Sequence, residues 1–219
     1  MCAIDRFNLF LRLDLFDDDV ALEPMNRWNY PKAKREIVLR DVSGGHRMEM
    51  AKWGLEPDSM HDHKLNTYNA RAESLLKPYS MFHGPFASRR CLLFGTSFIE
   101  HSDRRPDRKP IEVIPAEGRP YAYAGLYEIA QKENEEVYSC TMMTCEPNSV
   151  IGPHHSRMPM LLQPDDWDLW LDPSASRDDL LELLAPFELG GMEVREAQIP
   201  RMVPSNKPKE PVQSDSLFD

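Results

Sequence analysis

Tyr121-Ala122-Tyr123-Ala124-Gly125-Leu126-Tyr127-Glu128 alternates aromatic with small residues, the pattern of a closely packed β-strand. Val137 to Thr144 (VYSCTMMT) reads as a second central strand. Upstream, Glu36-Ile37-Val38-Leu39-Arg40 is a strand rich in β-branched residues, and Ser43-Gly44-Gly45 is a hairpin-type turn leading to the alternating run Arg47 to Trp53. Arg89 to Phe94 is a strand entered through two arginines, and Glu193 to Ile199 is a last strand. Phe7 to Phe16 fits a strand or a short helix equally. Helices are expected over Ala72 to Leu76, from Pro164 through Trp170, and after the capping box Ser176 to Asp179. The expected class is α+β: a mostly antiparallel, barrel-like β-sheet with a few flanking helices.

Nineteen prolines against ten glycines in 219 residues suit fixed turns and extended segments better than a helical bundle. A net charge of −10 excludes a broad nucleic-acid-binding surface, so any DNA contact has to use a local basic groove. No secretory apolar region and no stretch of 18 apolar residues appears, which predicts a cytoplasmic protein. The four cysteines show no CxxC spacing. His61-Asp62-His63 lies in a polar loop with no third ligand in view, so neither a metal site nor a cofactor is expected. One folded domain over residues 1–203 is followed by a polar, proline-rich tail over 204–219 that reads as disordered.

The chemistry centres on Cys2. Removal of Met1 leaves a terminal cysteine whose amine and thiol sit on adjacent carbons. With pKa values near ~8 and ~8.5, both are partly available as nucleophiles at neutral pH. Such a 1,2-aminothiol condenses with an aldehyde to an imine, and the thiolate then closes a five-membered thiazolidine. Asn69-Ala70-Arg71-Ala72-Glu73 is a polar run that is costly to bury unless each group has a partner. Glu100 follows Phe98 and Ile99, which allows a partly buried carboxyl of raised pKa. Residues 102–110 (SDRRPDRKP) form the densest positive patch, expected as a mobile loop.

Read together, these motifs resemble the SRAP family (SOS-response-associated peptidase-like proteins), which sense abasic sites in single-stranded DNA. The resemblance runs from Cys2 to about Ile199 and is carried by Met1-Cys2, Trp53-Gly54-Leu55, Asn69 to Glu73, Arg90-Cys91-Leu92, Phe98-Ile99-Glu100, Ala124 to Glu128 and His155-Ser156-Arg157-Met158-Pro159. It implies a covalent crosslink between Cys2 and the ring-opened aldehyde of an abasic deoxyribose, with self-processing before Cys2 and lyase activity as related activities. It further implies that Asn69 orients the Cys2 terminus, Glu100 acts as general acid/base and His155 shuttles protons. Arg71 would hold a DNA phosphate, with Arg90 counted among the DNA-binding residues. Arg157 would bind a phosphate or brace the His155 loop, and Trp53 and Leu55 would wedge or stack at the lesion. The chain departs from the family pattern in Cys2-Ala3-Ile4, in Asn29-Tyr30-Pro31 and in His101 where a Trp is usual.

The expected partner is single-stranded DNA with an abasic site, bound by a monomer associated with the nucleoid. Gln213, Leu217 and Phe218 resemble a short peptide that docks on the replication sliding clamp. Two other functions compete: an N-terminal cysteine amidohydrolase or peptidase using Cys2 with Asn69 and His155, and a non-catalytic single-strand binding module.

Overall fold

The computed structural model describes residues 4–8, 26–57, 66–104, 109–115, 121–186 and 192–198. Cys2, the His61-Asp62-His63 run, the middle of the basic loop, the 204–219 tail and the Gln213, Leu217 and Phe218 motif lie outside them.

Thirteen strands are present among the described residues: β1 (Ile4–Asn8), β2 (Asn26–Asn29), β3 (Lys34–Arg40), β4 (His46–Trp53), β5 (Asn69–Arg71), β6 (Arg90–Gly95), β7 (Ser97–His101), β8 (Pro110–Pro115), β9 (Tyr121–Lys132), β10 (Glu135–Cys145), β11 (Met158–Pro159), β12 (Leu161–Leu162) and β13 (Met192–Glu196). The helices are α1 (His83–Ser88), α2 (Pro164–Leu171) and α3 (Arg177–Glu182). The short helix expected after Asn69 is a single 3₁₀ turn, Ala72–Ser74.

The alternating stretch at 121–128 is the middle of a long hairpin. β9 and β10 pair from Lys132↔Glu135 to Gly125↔Met142. Their two-residue turn, Glu133-Asn134, has φ of 50° and 70°, the primed geometry that matches strand twist. β6 pairs with the other edge of β9, β3 with β6, and β4 with β3, all antiparallel. The ring closes where β4 runs parallel to β10, through Tyr138↔Ala51 to Cys140↔Trp53. The result is a closed five-strand barrel, β10-β4-β3-β6-β9. The parallel closure, and the parallel pairing of β5 with β10, depend on long-range pairing that strand periodicity does not encode.

Gly125 sits where the barrel wall is tightest. A Cβ there would overlap Leu93 Cδ1 and stand 2.8 Å from Cys91 Sγ. The small residue in the alternating pattern is therefore a packing requirement. Inside the barrel the buried Arg35 donates to the Phe94 carbonyl at 3.1 Å, its guanidinium 5.1 Å from the centre of the Trp53 ring. Outside, α2 begins with Pro164 and anchors through Trp170, whose indole N–H donates to the Cys91 carbonyl at 3.0 Å. Ser176 caps α3 by accepting from the Asp179 amide at 3.1 Å.

A second sheet, all antiparallel, has the order β13-β8-β7-β1-β2. It meets the barrel edge-on through Phe98 and Tyr123 (6.3 Å, 80°). No helix of the described residues is long and apolar enough to cross a membrane. Gly125→Ala is expected to destabilise the fold by roughly 1–3 kcal/mol through overpacking, read as a lower urea midpoint with an unchanged m value.

Candidate active site

The site forms where the end of β7 meets the loop between β10 and β11. Asn148 opens that loop, its side-chain oxygen accepting from the Val150 and Ile151 amides at 3.2 and 2.9 Å. The amide N–H groups of His154 and His155 both donate to the Ile151 carbonyl. Two contacts then tie the loop to β7. The Ser102 hydroxyl donates to the His154 carbonyl at 2.8 Å, and the Ser156 amide and hydroxyl donate to the Asp103 carboxylate.

This bracing brings His155 Nε2 to 3.6 Å from Glu100 Oε2 and 3.7 Å from Asp103 Oδ2. Both separations exceed a direct hydrogen bond and suit one bridging water or a small side-chain shift. Glu100 is 1% exposed, and His155 4%. Burial pushes the Glu100 carboxyl up to about 8, opposed by the N-terminal ammonium and aided to a lesser degree by the Asp103 charge. Burial also lowers His155 below the ordinary histidine value, opposed by its contact with the Arg157 carbonyl and by Asp103. At neutral pH the pair is therefore a carboxylic acid beside a neutral imidazole rather than an ion pair. An acid titrating near pH 8 beside an imidazole that burial keeps neutral suits proton transfer at neutral pH.

Arg157 braces the loop from the other side. Its guanidinium bonds both Glu73 oxygens at 2.6 and 3.1 Å and the Thr144 carbonyl at 2.5 Å. A bidentate pair of this kind fixes the backbone that bears His155 as well as the side chain. Arg71, exposed at the end of β5, lines an open cleft of about 380 Å³ with His101, Ser102, Asp103, His155, Ser156 and Arg157. Asn69 is buried on the same short strand, with its Cα opposite Met142 of β10. Among the described residues no group of three or more His, Cys, Asp or Glu is arranged to hold a metal.

Of the residues singled out from sequence, Glu100, His155, Arg71 and Arg157 converge here. Three others do not. Arg90 is buried, donating to the carbonyls of Phe86, Ala87, Trp170 and Asp172, so it joins α1 and α2 to the barrel and offers no face to a phosphate. Trp53 and Leu55 are fully enclosed. The Trp53 indole N–H donates to the Tyr68 carbonyl at 2.8 Å, and Gly54, with φ of 136°, turns Leu55 into the core. Neither side chain can stack on a base in this fold. Asp103, Ser102 and Glu73 carry no individual role in the sequence reading, because each sits in a charged or polar run whose neighbours dominate it.

A model of the SOS response associated peptidase (SRAP) family matches residues 4–203. The chain belongs to the SRAP family. Among SRAP relatives it is 30% identical over 226 residues to the Bacillus subtilis abasic site processing protein YoqW, an alignment covering 98% of this chain and all of that one. It is 33% identical to the abasic site processing protein YobE of the same organism, over 88% of this chain and 92% of that one. A crystal structure of a phage-related protein from Bordetella bronchiseptica shares the SRAP-like fold, with a TM-score of 0.70, 18% identity and coverage of 90% and 95% of the two chains.

Arg90→Ala is expected to lower stability by about 2–4 kcal/mol, because four carbonyls, those of Phe86 and Trp170 in buried bonds, lose their donor. Arg71→Ala, at an exposed position, is expected to stay within about 0.5 kcal/mol of the parent protein. Urea denaturation of both variants checks the contrast.

Proposed function

We propose that this protein processes abasic sites in single-stranded DNA by capturing them covalently through Cys2, exposed as the N-terminal residue once Met1 is removed. The α-amine attacks the ring-opened aldehyde of the abasic deoxyribose and loses one water to give an imine. The thiolate adds to the imine carbon, the nitrogen takes up a proton, and the thiazolidine ring is closed. Glu100 supplies and recovers the proton during ring opening and water loss, and His155 passes it onward. Asn69 orients the terminus by its amide, and Arg71 takes a phosphate beside the cleft.

The observation that carries this reading is a buried acid beside the first strand. Ile4 pairs with Ile99, the residue before Glu100, and Asp5 with Phe98. Cys2 is two residues from Ile4, a span of at most about 7 Å by covalent geometry. Chain connectivity thus favours a meeting of the Cys2 nucleophiles with a carboxyl whose burial keeps it protonated at neutral pH. Supporting it further, relatives aligned over 98% and 88% of the chain are named abasic site processing proteins. Arg71 stands exposed in the cleft wall of an acidic protein, a cation placed for a narrow DNA contact.

Intact-mass spectrometry tests the reading. After incubation with a single-stranded oligonucleotide bearing one abasic site, the expected species has the summed mass of protein without Met1 and DNA, less one water. Cys2→Ser should abolish it. A mature Cys2 terminus with no adduct would overturn the proposal in favour of an amide-cleaving N-terminal cysteine.

A further inference from the structure

We propose that Asp103 is a third member of the acid–base group, a positioning residue whose carboxylate faces the same imidazole nitrogen as Glu100 and passes protons between His155 and the water of the cleft. The inference rests on the site reading above for its role in the reaction, and on geometry alone for its effect on His155.

Both carboxylates address His155 Nε2, at 3.6 and 3.7 Å, from opposite environments. Glu100 is enclosed, whereas the Asp103 side chain is 41% exposed and belongs to the cleft wall. The Asp103 carboxylate is oriented by the Ser156 amide (3.1 and 3.3 Å) and the Ser156 hydroxyl, the residue next to His155. These bonds carry Asp103 below the ordinary carboxylate value despite its partial desolvation, so it stays ionised.

The other ring nitrogen is served in either protonation state. Nδ1 lies 2.8 Å from the Arg157 carbonyl and 3.0 Å from the Arg157 amide. Protonated, it donates to the carbonyl. Deprotonated, it accepts from the amide. The imidazole therefore gains or loses a proton without losing a partner. A proton leaving the Glu100 carboxyl lodges on Nε2, giving carboxylate and imidazolium. The ionised Asp103 stabilises that cation and accepts Nε2–H, directly or through water, which returns the imidazole to neutrality. The charged and titratable groups around His155 are Glu100 and Asp103 from β7 and its exit, Arg104 beside them, Arg157 from its own loop, and the N-terminal ammonium, whose charge lowers His155 as Arg104 does. Arg71 and His101 complete the cleft.

Asp103→Asn separates this role from a merely structural one, since the amide oxygen still accepts from Ser156 while the charge is gone. In DNA-free protein, the His155 ring resonances followed by NMR across pH should titrate at lower pH in Asp103→Asn and return toward the parent midpoint in Asp103→Glu. The pH profile of adduct formation with an abasic oligonucleotide should show its His155 limb displaced to lower pH in the Asn variant. An unmoved His155 midpoint, or an unmoved limb, would overturn the proposal and leave Asp103 as a loop staple. If the parent protein formed no adduct, the functional reading would fall, and the NMR midpoint would still decide whether Asp103 governs His155.

Discussion

Holding a carboxyl group out of water is the constraint on which the site depends. An ionised carboxylate at Glu100 would lose its hydration without full compensation, so the group stays protonated well above the usual carboxylate range. Glu112, paired through the same strands, shows the other solution to the same problem. It accepts from the Ser97 hydroxyl at 2.6 Å and from Arg195 at 2.8 and 3.0 Å. Glu112 is held by a hydroxyl and a guanidinium, whereas Glu100 faces an imidazole and the pull of the N-terminal ammonium does not offset its burial.

The fold exists around this site as two supports. The closed barrel carries β10, whose far end holds β5 on one side and β11 on the other, and so fixes Arg71 relative to the His155 loop. The second sheet carries β7 and Glu100. Nothing in either sheet alone makes the site. It forms because Ser102, Asp103 and the Glu73–Arg157 pair tie the β10–β11 loop down from both sides. Each of these contacts is modest by itself, and exposed ion pairs in particular contribute little to stability. Their worth is positional, since together they hold His155 within 3.7 Å of both carboxylates.

Much of this was legible in the residues. The alternation at 121–128, the Ser43-Gly44-Gly45 turn, Pro164 at a helix start and the Ser176 cap are local signals, and each became the element it announced. Glu100 follows Phe98 and Ile99, which by itself allows a partly buried carboxyl of raised pKa. What failed was long-range. Burial of Trp53, Leu55 and Arg90 depends on which strands meet, and an arginine or tryptophan in a motif looks the same whether it faces DNA or four carbonyls. The α1 helix, a short turn containing Gly84 and Pro85, gave no periodic signal at all. Asp103 was hidden in a run whose basic neighbours dominate its reading, and only the fold reveals that it turns toward His155.

The most direct test of the account is the titration of the Glu100 side-chain carboxyl. Carbon-13 NMR of protein labelled at the glutamate δ-carbon, with Glu100→Gln to assign the resonance, reads it without any assumption about substrate. The account predicts a Glu100 signal that stays in its protonated position through neutral pH and moves with a midpoint near 8. A midpoint near 4.5, the ordinary glutamate value, would contradict it and remove the proton source from the site.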